Sequence, residues 1–143
     1  MKVGLLVLNK FTHDARVLKT ARFLYREGNQ VTVIALKSAG VPLTEDMEGM
    51  TVLRPRLLTI SWPKHTIFQA IKYAEWVIKA CRVAKRMDVL HCNDLNTFPV
   101  GALMKLLTWG RVKVVYDAHE FESNQVRFQS RRSIAMLQLI EGL

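Results

Sequence analysis

A group of ionisable side chains follows the apolar run from Val112 to Tyr116. Four of these five residues are apolar, three of them valine, and Asp117, His119 and Glu120 come shortly after them. Such a run is typical of a strand buried on both faces of a parallel sheet, and ligands bind at the carboxyl ends of such strands. The three ionisable side chains are therefore candidates for ligand contact. Asp and His at a strand end are also common turn formers, so a structural role is an equally weighted alternative.

The stretch from Val89 to Asp94 repeats this design. Val89 and Leu90 begin a short apolar run that ends in the polar residues His91, Asn93 and Asp94. If the two strands are parallel neighbours, their carboxyl ends lie at the same edge of the sheet. We therefore predict one candidate site that is built from both stretches.

Length and composition indicate one cytosolic domain. The chain has 143 residues, of which 50% are hydrophobic, which suits one core and is too little for two domains of ordinary size. No apolar run approaches the roughly 18 residues of a membrane span, and the apolar start of the chain lacks a signal-peptide cleavage site. Cys81 and Cys92 have no metal-ligand spacing, so we expect two reduced, buried thiols and no metal site.

The formal charge of +9 is concentrated in the middle of the chain. Residues 51–87 hold eight Lys or Arg against one Glu, whereas residues 88–143 hold six residues of each sign. This asymmetry favours an anionic partner for the central third. A solvated basic face without any partner is the simpler alternative.

Apolar periodicity and turn residues predict alternating strands and helices. The predicted strands are Lys2–Leu8, Val31–Leu36, Met50–Leu53, Asp88–Cys92 and Lys113–Tyr116. The predicted helices run from a cap at Thr12 or Asp14 to about Glu27, from Lys64 to about Arg86, from Thr97 to about Thr108, and onward from a cap at Ser130 or Ser133. Residues 37–49 and 54–63 are predicted as irregular loops. This alternation predicts an α/β fold with one doubly wound, Rossmann-like parallel sheet in the order 3-2-1-4-5.

The long central helix is predicted to have two contrasting faces. One is apolar and predicted to be buried: Ile67, Ala70, Ile71, Ala74, Val77, Ile78, Cys81 and Ala84. The other face combines cations with aromatic residues, as does the loop before it, which is the make-up of a helix on an anionic membrane surface. Its membrane-facing candidates are Trp62, Phe68, Lys72, Trp76, Lys79 and Arg86. Burial of these aromatic residues against another helix or domain is an equal alternative.

Several motifs of cofactor-dependent and hydrolytic enzymes are missing from the sequence. The turn after the first strand is NKFTHD, which has no glycine, so the dinucleotide fingerprint is absent and a bound NAD or FAD is not expected. The sequence also has no Walker A, HExxH or GxSxG motif. We expect no nucleic-acid binding, because the central aromatic residues lie on a helix rather than on an open sheet surface.

Three segments together resemble the N-terminal domain of family 4 glycosyltransferases. They are DARV at 14–17 with A-x-x-L-x-x-x-G-x-x-V-T-V at 21–33, His-x-Asn-Asp at 91–94, and Tyr-Asp-Ala-His-Glu at 116–120. The resemblance implies one half of a two-domain GT-B fold, in which the N-terminal domain binds the acceptor and the C-terminal domain binds the sugar nucleotide. The acidic donor-binding motif of that second domain is missing here. We therefore expect residues 1–143 to be one domain, truncated at its C-terminal end and inactive alone.

The resemblance also implies roles for individual residues. His119 matches a catalytic-cleft histidine that contacts the hydroxyls of the transferred sugar, and Asn93 and Asp94 match cleft residues that hold acceptor or sugar. His13 and Asp14 lie in the loop that faces the cleft in this family. For Asp14, a helix cap is the favoured alternative. Glu120 is a candidate substrate contact or a local hydrogen-bond acceptor.

The implied reaction is transfer of a sugar from a UDP- or GDP-sugar to a cell-envelope lipid or polysaccharide. The resemblance implies retention of configuration, with the donor phosphate as base, and no cofactor in this chain. The alternative is a non-catalytic Rossmann-like module that binds a partner. We also expect self-association through exposed apolar surface, and a cytoplasmic location with attachment to the inner face of a membrane left open.

Overall fold

Six strands form one sheet in the computed structural model, which describes residues 1–117. They are β1 Lys2–Leu6, β2 Gln30–Ile34, β3 Thr44–Met47, β4 Met50–Leu53, β5 Val89–Cys92 and β6 Lys113–Tyr116. Their order across the sheet is β3-β4-β2-β1-β5-β6. All neighbouring strands are parallel except β3 and β4, which pair antiparallel. The predicted doubly wound α/β fold is confirmed, and the five parallel strands follow the predicted order.

The edge strand β3 was not predicted, because residues 37–49 were expected to form an irregular loop. β3 and β4 are joined by a two-residue turn at Glu48 and Gly49, whose φ angles are 56° and 82°. Tight hairpin turns of this kind need positive φ at both positions, and Asn-Gly or Asp-Gly is their usual signal. Glu-Gly is a weaker signal, which explains the missed hairpin.

In the described part of the chain, three helices cover the two faces of the sheet. They are α1 Ala15–Arg26, α2 Thr66–Ala84 and α3 Phe98–Leu107, the last preceded by a 3-10 turn at Leu95–Thr97. Successive residues of a strand point to opposite faces, so Leu5 packs in a core with α1 while Leu6 packs in a second core with α2 and α3. This arrangement has helices on both faces, as a doubly wound sheet requires.

The orientation of α2 differs from the prediction. Its buried residues are Trp76, Val77, Ala80, Cys81 and Ala84. Three isoleucines that were predicted to be buried are exposed, Ile67 by 64%, Ile71 by 40% and Ile78 by 55%. The helix is rotated because the large indole of Trp76 enters the core. An aromatic side chain buries more apolar area than any isoleucine, so its position decides which face packs.

Gly101 allows α3 to approach the sheet closely. A Cβ atom at this position would lie 2.7 Å from Cys92 Sγ and 2.8 Å from Val114 Cγ1.

Both cysteines, Cys81 and Cys92, are free and buried. Burial raises the pKa of the Cys92 thiol to about 11, so this thiol is held in its neutral form.

Within residues 1–117, no helix has both the length and the apolar composition that are needed to cross a bilayer. The predicted last helix, with its cap at Ser130 or Ser133, lies outside the described residues.

Candidate functional site

The carboxyl ends of β5 and β6 lie side by side. Cys92 is paired with Tyr116, and the Asp117 backbone N–H donates to the Cys92 carbonyl at 2.9 Å. Asn93 therefore follows β5 at the same edge of the sheet where Asp117 follows β6. The prediction that the two polar stretches meet at one edge is confirmed. His119 and Glu120, which complete the second stretch, lie outside the described residues.

Asn93 joins β5 to the centre of the sheet. Its side-chain amide is buried and donates to the Leu6 carbonyl at 3.0 Å. Its Oδ1 lies 3.1 Å from Nδ1 of His91. These contacts give Asn93 a structural task at the end of β1, and its role as a substrate contact stays a prediction.

Asp94 begins the 3-10 turn that leads into α3. Its backbone N–H donates to the Thr97 hydroxyl at 3.3 Å, and that hydroxyl donates to the Asp94 carbonyl at 2.8 Å. The Tyr73 hydroxyl of α2 donates to the Asn96 carbonyl at 2.7 Å, which ties this turn to α2. Asp94 is half-buried at the sheet edge, where the prediction placed it.

The loop from β1 to α1 is shaped without glycine. Asn9 Oδ1 accepts from the Phe11 backbone N–H at 2.8 Å, and Phe11 adopts a φ of 50° with its ring buried in the α1-side core. An Asn side chain that bonds to the backbone two residues on mimics a turn, so it substitutes here for the glycines of other loops. The burial of Phe11 offsets the cost of its left-handed backbone.

Asp14 is the N-cap of α1. Its Oδ1 accepts from the Val17 backbone N–H at 3.2 Å, and its Oδ2 accepts from Asn9 Nδ2 at 3.0 Å. The helix-cap interpretation of Asp14 is therefore confirmed. Its neighbour His13 is exposed, with Nδ1 2.9 Å from the Thr12 hydroxyl. Both residues line an open cavity of about 420 Å³ along the loop, and their role in substrate binding stays a prediction.

Arg54 holds the β1–α1 loop through backbone carbonyl groups of that loop. The sequence analysis did not identify this residue. It follows β4, is 1% exposed, and its guanidinium donates to the Lys10 carbonyl at 2.9 Å and to the Phe11 carbonyl at 3.4 Å. Its NH1 atom also lies 2.9 Å from Glu45 of β3. A charged residue directly after a short apolar strand was the available signal, the same pattern that identified Asp94 and Asp117.

Glu75 of α2 holds the loop from β4 to α2. One carboxylate oxygen accepts from the Leu58 backbone N–H at 2.7 Å, and the other accepts from the Thr59 backbone N–H at 3.0 Å and the Thr59 hydroxyl at 2.7 Å. Lys79 forms an ion pair with Glu75 at 2.7 Å. Desolvation acts to raise the pKa of Glu75, but the hydrogen bonds from Lys79, Leu58 and Thr59 lower it to about 2.

We expect Glu75 to make stability depend on acid pH. Because its folded pKa lies below the ordinary 4.5, it stabilises the fold above pH 4.5, and this contribution is lost as the pH falls through about 2. Urea unfolding of wild type and Glu75→Gln should therefore differ most at about pH 6 and much less at about pH 2.5. A difference that stays constant with pH would contradict this role.

The proposed membrane-facing set does not form one exposed face. Trp76 is fully buried, and its Nε1 donates to the Ala35 carbonyl at 3.4 Å, so its inclusion in that set was wrong. Lys72 donates to the Trp62 carbonyl at 2.7 Å, and Lys79 donates to the Arg56 carbonyl as well as binding Glu75. The two lysines therefore hold the loop before α2. Trp62 and Arg86 are exposed and Phe68 is half-buried, and membrane binding itself stays a prediction.

No group of three or more His, Cys, Asp or Glu side chains within residues 1–117 is arranged to hold a metal ion. The chemistry that the described edge offers is hydrogen bonding by amide and carboxylate side chains such as those of Asn93 and Asp14.

Comparisons with known proteins identify the family. The sequence pattern of Glycosyltransferase Family 4 matches residues 15–141, which is most of the chain. A solved structure of sucrose-phosphate synthase from Thermosynechococcus elongatus superimposes with a TM-score of 0.68 at 13% identity, covering 96% of this chain and 39% of that one. A second structure of that protein gives a TM-score of 0.61 at 14% identity, covering 96% of this chain and 68% of the other. No curated protein matches the sequence.

The chain spans about two fifths of the length of the first of these structures. At such low identity the likeness shows a shared fold. The family match, which covers far more than half of the sequence, shows more: the chain belongs to glycosyltransferase family 4.

Proposed function

We propose that this chain is the N-terminal, acceptor-binding half of a glycosyltransferase. The observation that carries this proposal is the family match over residues 15–141, which includes the polar stretches after β5 and β6. In the proposed enzyme, a second domain supplies the sugar-nucleotide site and faces the carboxyl edge of the sheet described above. The donor is a UDP- or GDP-sugar, and the acceptor is a lipid or polysaccharide precursor of the cell envelope.

The proposed roles of the site residues follow from the chemistry of the sugar transfer. Breaking the bond between sugar and diphosphate builds positive charge on the sugar and negative charge on the leaving group, so fixed dipoles and cations stabilise the transition state. We assign His119 to the hydroxyls of the transferred sugar. Asp94 and His13 are assigned to the acceptor, with Asn93, Asp14 and Glu120 as supporting contacts.

Rigid support of the edge favours this proposal. Arg54 holds the β1–α1 loop by its carbonyl groups, and Asn93 fixes the end of β5 against β1. Side chains on an edge that is held this way keep their positions when a substrate arrives, and such preorganisation is what a binding site requires.

The test is sugar transfer by the longer protein that contains this domain. Radiolabelled UDP-glucose and GDP-mannose, among other UDP- and GDP-sugars, are supplied with a membrane and polysaccharide fraction, and label in the acceptor is counted. We expect His119→Ala to lower kcat about tenfold or more, because one transition-state contact is lost. The control is Lys105→Ala, an exposed residue in the last turn of α3, which should leave kcat unchanged.

Full activity of the His119→Ala enzyme would remove that residue from the site. Absence of label from every donor in the wild-type protein would favour the alternative, a non-catalytic binding module of the same fold.

A further inference from the structure

An apolar cavity lies between α2 and the carboxyl ends of β1 and β2. Its volume is about 290 Å³. Its apolar wall consists of Leu8, Leu36, Leu57, Ile60, Tyr73 and Trp76. The Leu36 backbone N–H donates to the Asn9 carbonyl at 2.8 Å, so this wall is joined directly to the β1–α1 loop of the candidate site.

A second cavity of about 530 Å³ continues the first along the loop before α2. Lys37, Leu57 and Ile60 line both, and Arg56 lines the second. Small-molecule sites have volumes of roughly 300–1,000 Å³ and are lined mainly by apolar side chains with a few placed polar groups. Together the two cavities, here called the α2 groove, have the size and composition of such a site.

The α2 groove is positively charged. Lys37, Arg56 and Lys72 line it, and among residues 1–117 no Asp or Glu lines either cavity. Lys72 donates to the Trp62 carbonyl at 2.7 Å, and Lys37 donates to the Ser38 and Val41 carbonyls at 2.7 and 2.6 Å. These carbonyls hold the ammonium groups in place but carry no negative charge, and neither lysine forms an ion pair with an acidic side chain in the described part of the chain.

The nearest acidic side chain of α2 is already engaged. Glu75 binds Lys79 together with Leu58 and Thr59, as described above. Residues 51–87 have eight cations and this one Glu, so the surroundings of the groove favour a bound anion.

We propose that the α2 groove binds an amphiphilic anion, with the apolar chain of the ligand between α2 and the sheet and its phosphate or carboxylate at Lys37 and Lys72. This inference deepens the proposed function, since it specifies a lipid-linked, anionic acceptor rather than a neutral polysaccharide. The apolar wall accounts for the chain, and the two lysines account for the charge. The connection between Leu36 and Asn9 places the groove beside the edge at which transfer is proposed.

Isothermal titration of the 143-residue chain with decyl phosphate, below its micelle concentration, tests the proposal. Inorganic phosphate and decyl maltoside are the comparison ligands. We expect decyl phosphate to bind, inorganic phosphate not to bind, and the neutral maltoside to bind at least about tenfold more weakly, because a hydrogen bond between charged groups is lost.

Two variants and two matched controls locate the binding. Ile60→Glu puts a carboxylate into the apolar wall, and Lys72→Met removes one ammonium, so each should weaken decyl phosphate binding at least about tenfold. The control Ile78→Glu changes an exposed isoleucine of α2, and the control Lys85→Met changes an exposed lysine directly after that helix. Neither residue lines the groove. Both controls should bind as wild type does. Ile60 is 45% exposed, so Ile60→Glu is expected to fold, which circular dichroism checks.

Unchanged binding in Ile60→Glu, or an equal loss in Ile78→Glu, would overturn the proposal by placing the ligand outside the groove. Equal affinity for the maltoside would overturn the assignment of Lys37 and Lys72 to an anion. If the groove is found not to bind the anion, the proposed sugar transfer can still use another acceptor, so the proposed function would stand. Decyl phosphate binding without any sugar transfer by the longer protein would instead contradict the proposed function and leave the groove assignment standing.

Discussion

Replacing Arg54 with Met should lower the free energy of unfolding by about 3 kcal/mol, the range expected when one partner of a buried ionic contact is removed. Met fills much of the same volume, so the loss comes from the polar partners. The carbonyls of Lys10 and Phe11 would lose their donor, and Glu45 would lose its cation. The loop from β1 to α1 would keep its own turn, the Asp14 cap and the hydrogen bond from the Leu36 N–H to the Asn9 carbonyl.

A matched control exists in the same region of the molecule. Arg22 of α1 pairs with Glu48 next to β3, with Arg22 Nε 2.7 Å from a carboxylate oxygen, but both side chains are about half exposed. Water and salt screen such a pair, so Arg22→Met should leave the urea midpoint nearly unchanged. Equal losses in the two variants would show that the burial of Arg54 contributes nothing. Amide hydrogen exchange in the β1–α1 loop should rise in Arg54→Met alone.

Trp76→Ala should cost about 4 kcal/mol, because it opens a large cavity in the core between the sheet and α2. The indole is 0% exposed, stacks on Tyr73 with ring centroids 6.5 Å apart, and donates from Nε1 to the Ala35 carbonyl. The buried area, the stacking and the hydrogen bond are all lost in the variant. Urea unfolding followed by circular dichroism measures the loss.

Trp109 provides the control for Trp76, since it is the same residue type at 97% exposure. Trp109→Ala removes no packed contact of this kind, and surface substitutions usually change stability by within about 0.5 kcal/mol. A loss in Trp76→Ala as small as that in Trp109→Ala would contradict the burial of Trp76 and would favour the exposed, membrane-facing position that the sequence analysis gave it.

Local patterns in the sequence predicted much of the fold. Short apolar runs bounded by turn residues located the five parallel strands, and the expected cap at Thr12 or Asp14 with an end at about Glu27 located α1 to within a few residues. These signals depend on residues that are close in sequence, and the tertiary contacts of these elements favour the same secondary structure. The alternation of strands and helices then predicted the strand order, because parallel neighbours need helical crossovers.

The buried face of α2 could not be predicted from local sequence patterns. Its sequence has apolar residues on more than one face, so periodicity alone leaves two faces to choose from. The larger isoleucine face was chosen, whereas the structure buries Trp76 and exposes Ile78. The choice depends on which side chain fits the core that contains Leu6, Ile34 and Leu90, and that core exists only in the folded sheet.

The candidate site was predicted in part. The ends of β5 and β6 were placed at one edge correctly, because the carboxyl ends of adjacent parallel strands share an edge. His119 and Glu120 lie outside the described residues, so their place in the site stays a prediction. Arg54 and Glu75 were missed because most of their partners are backbone groups of loops that are distant in sequence. The α2 groove was missed for the same reason, as its walls come from four separate segments. For Arg54, its position directly after β4 was the available signal.

The claim that this chain is the acceptor half and not the donor half has one direct test, which is calorimetric titration of the 143-residue chain with UDP-glucose and GDP-mannose. The account predicts no heat beyond that of dilution at micromolar concentrations, because the sugar-nucleotide site is assigned to the other domain. A dissociation constant in the low micromolar range for either sugar nucleotide would contradict it.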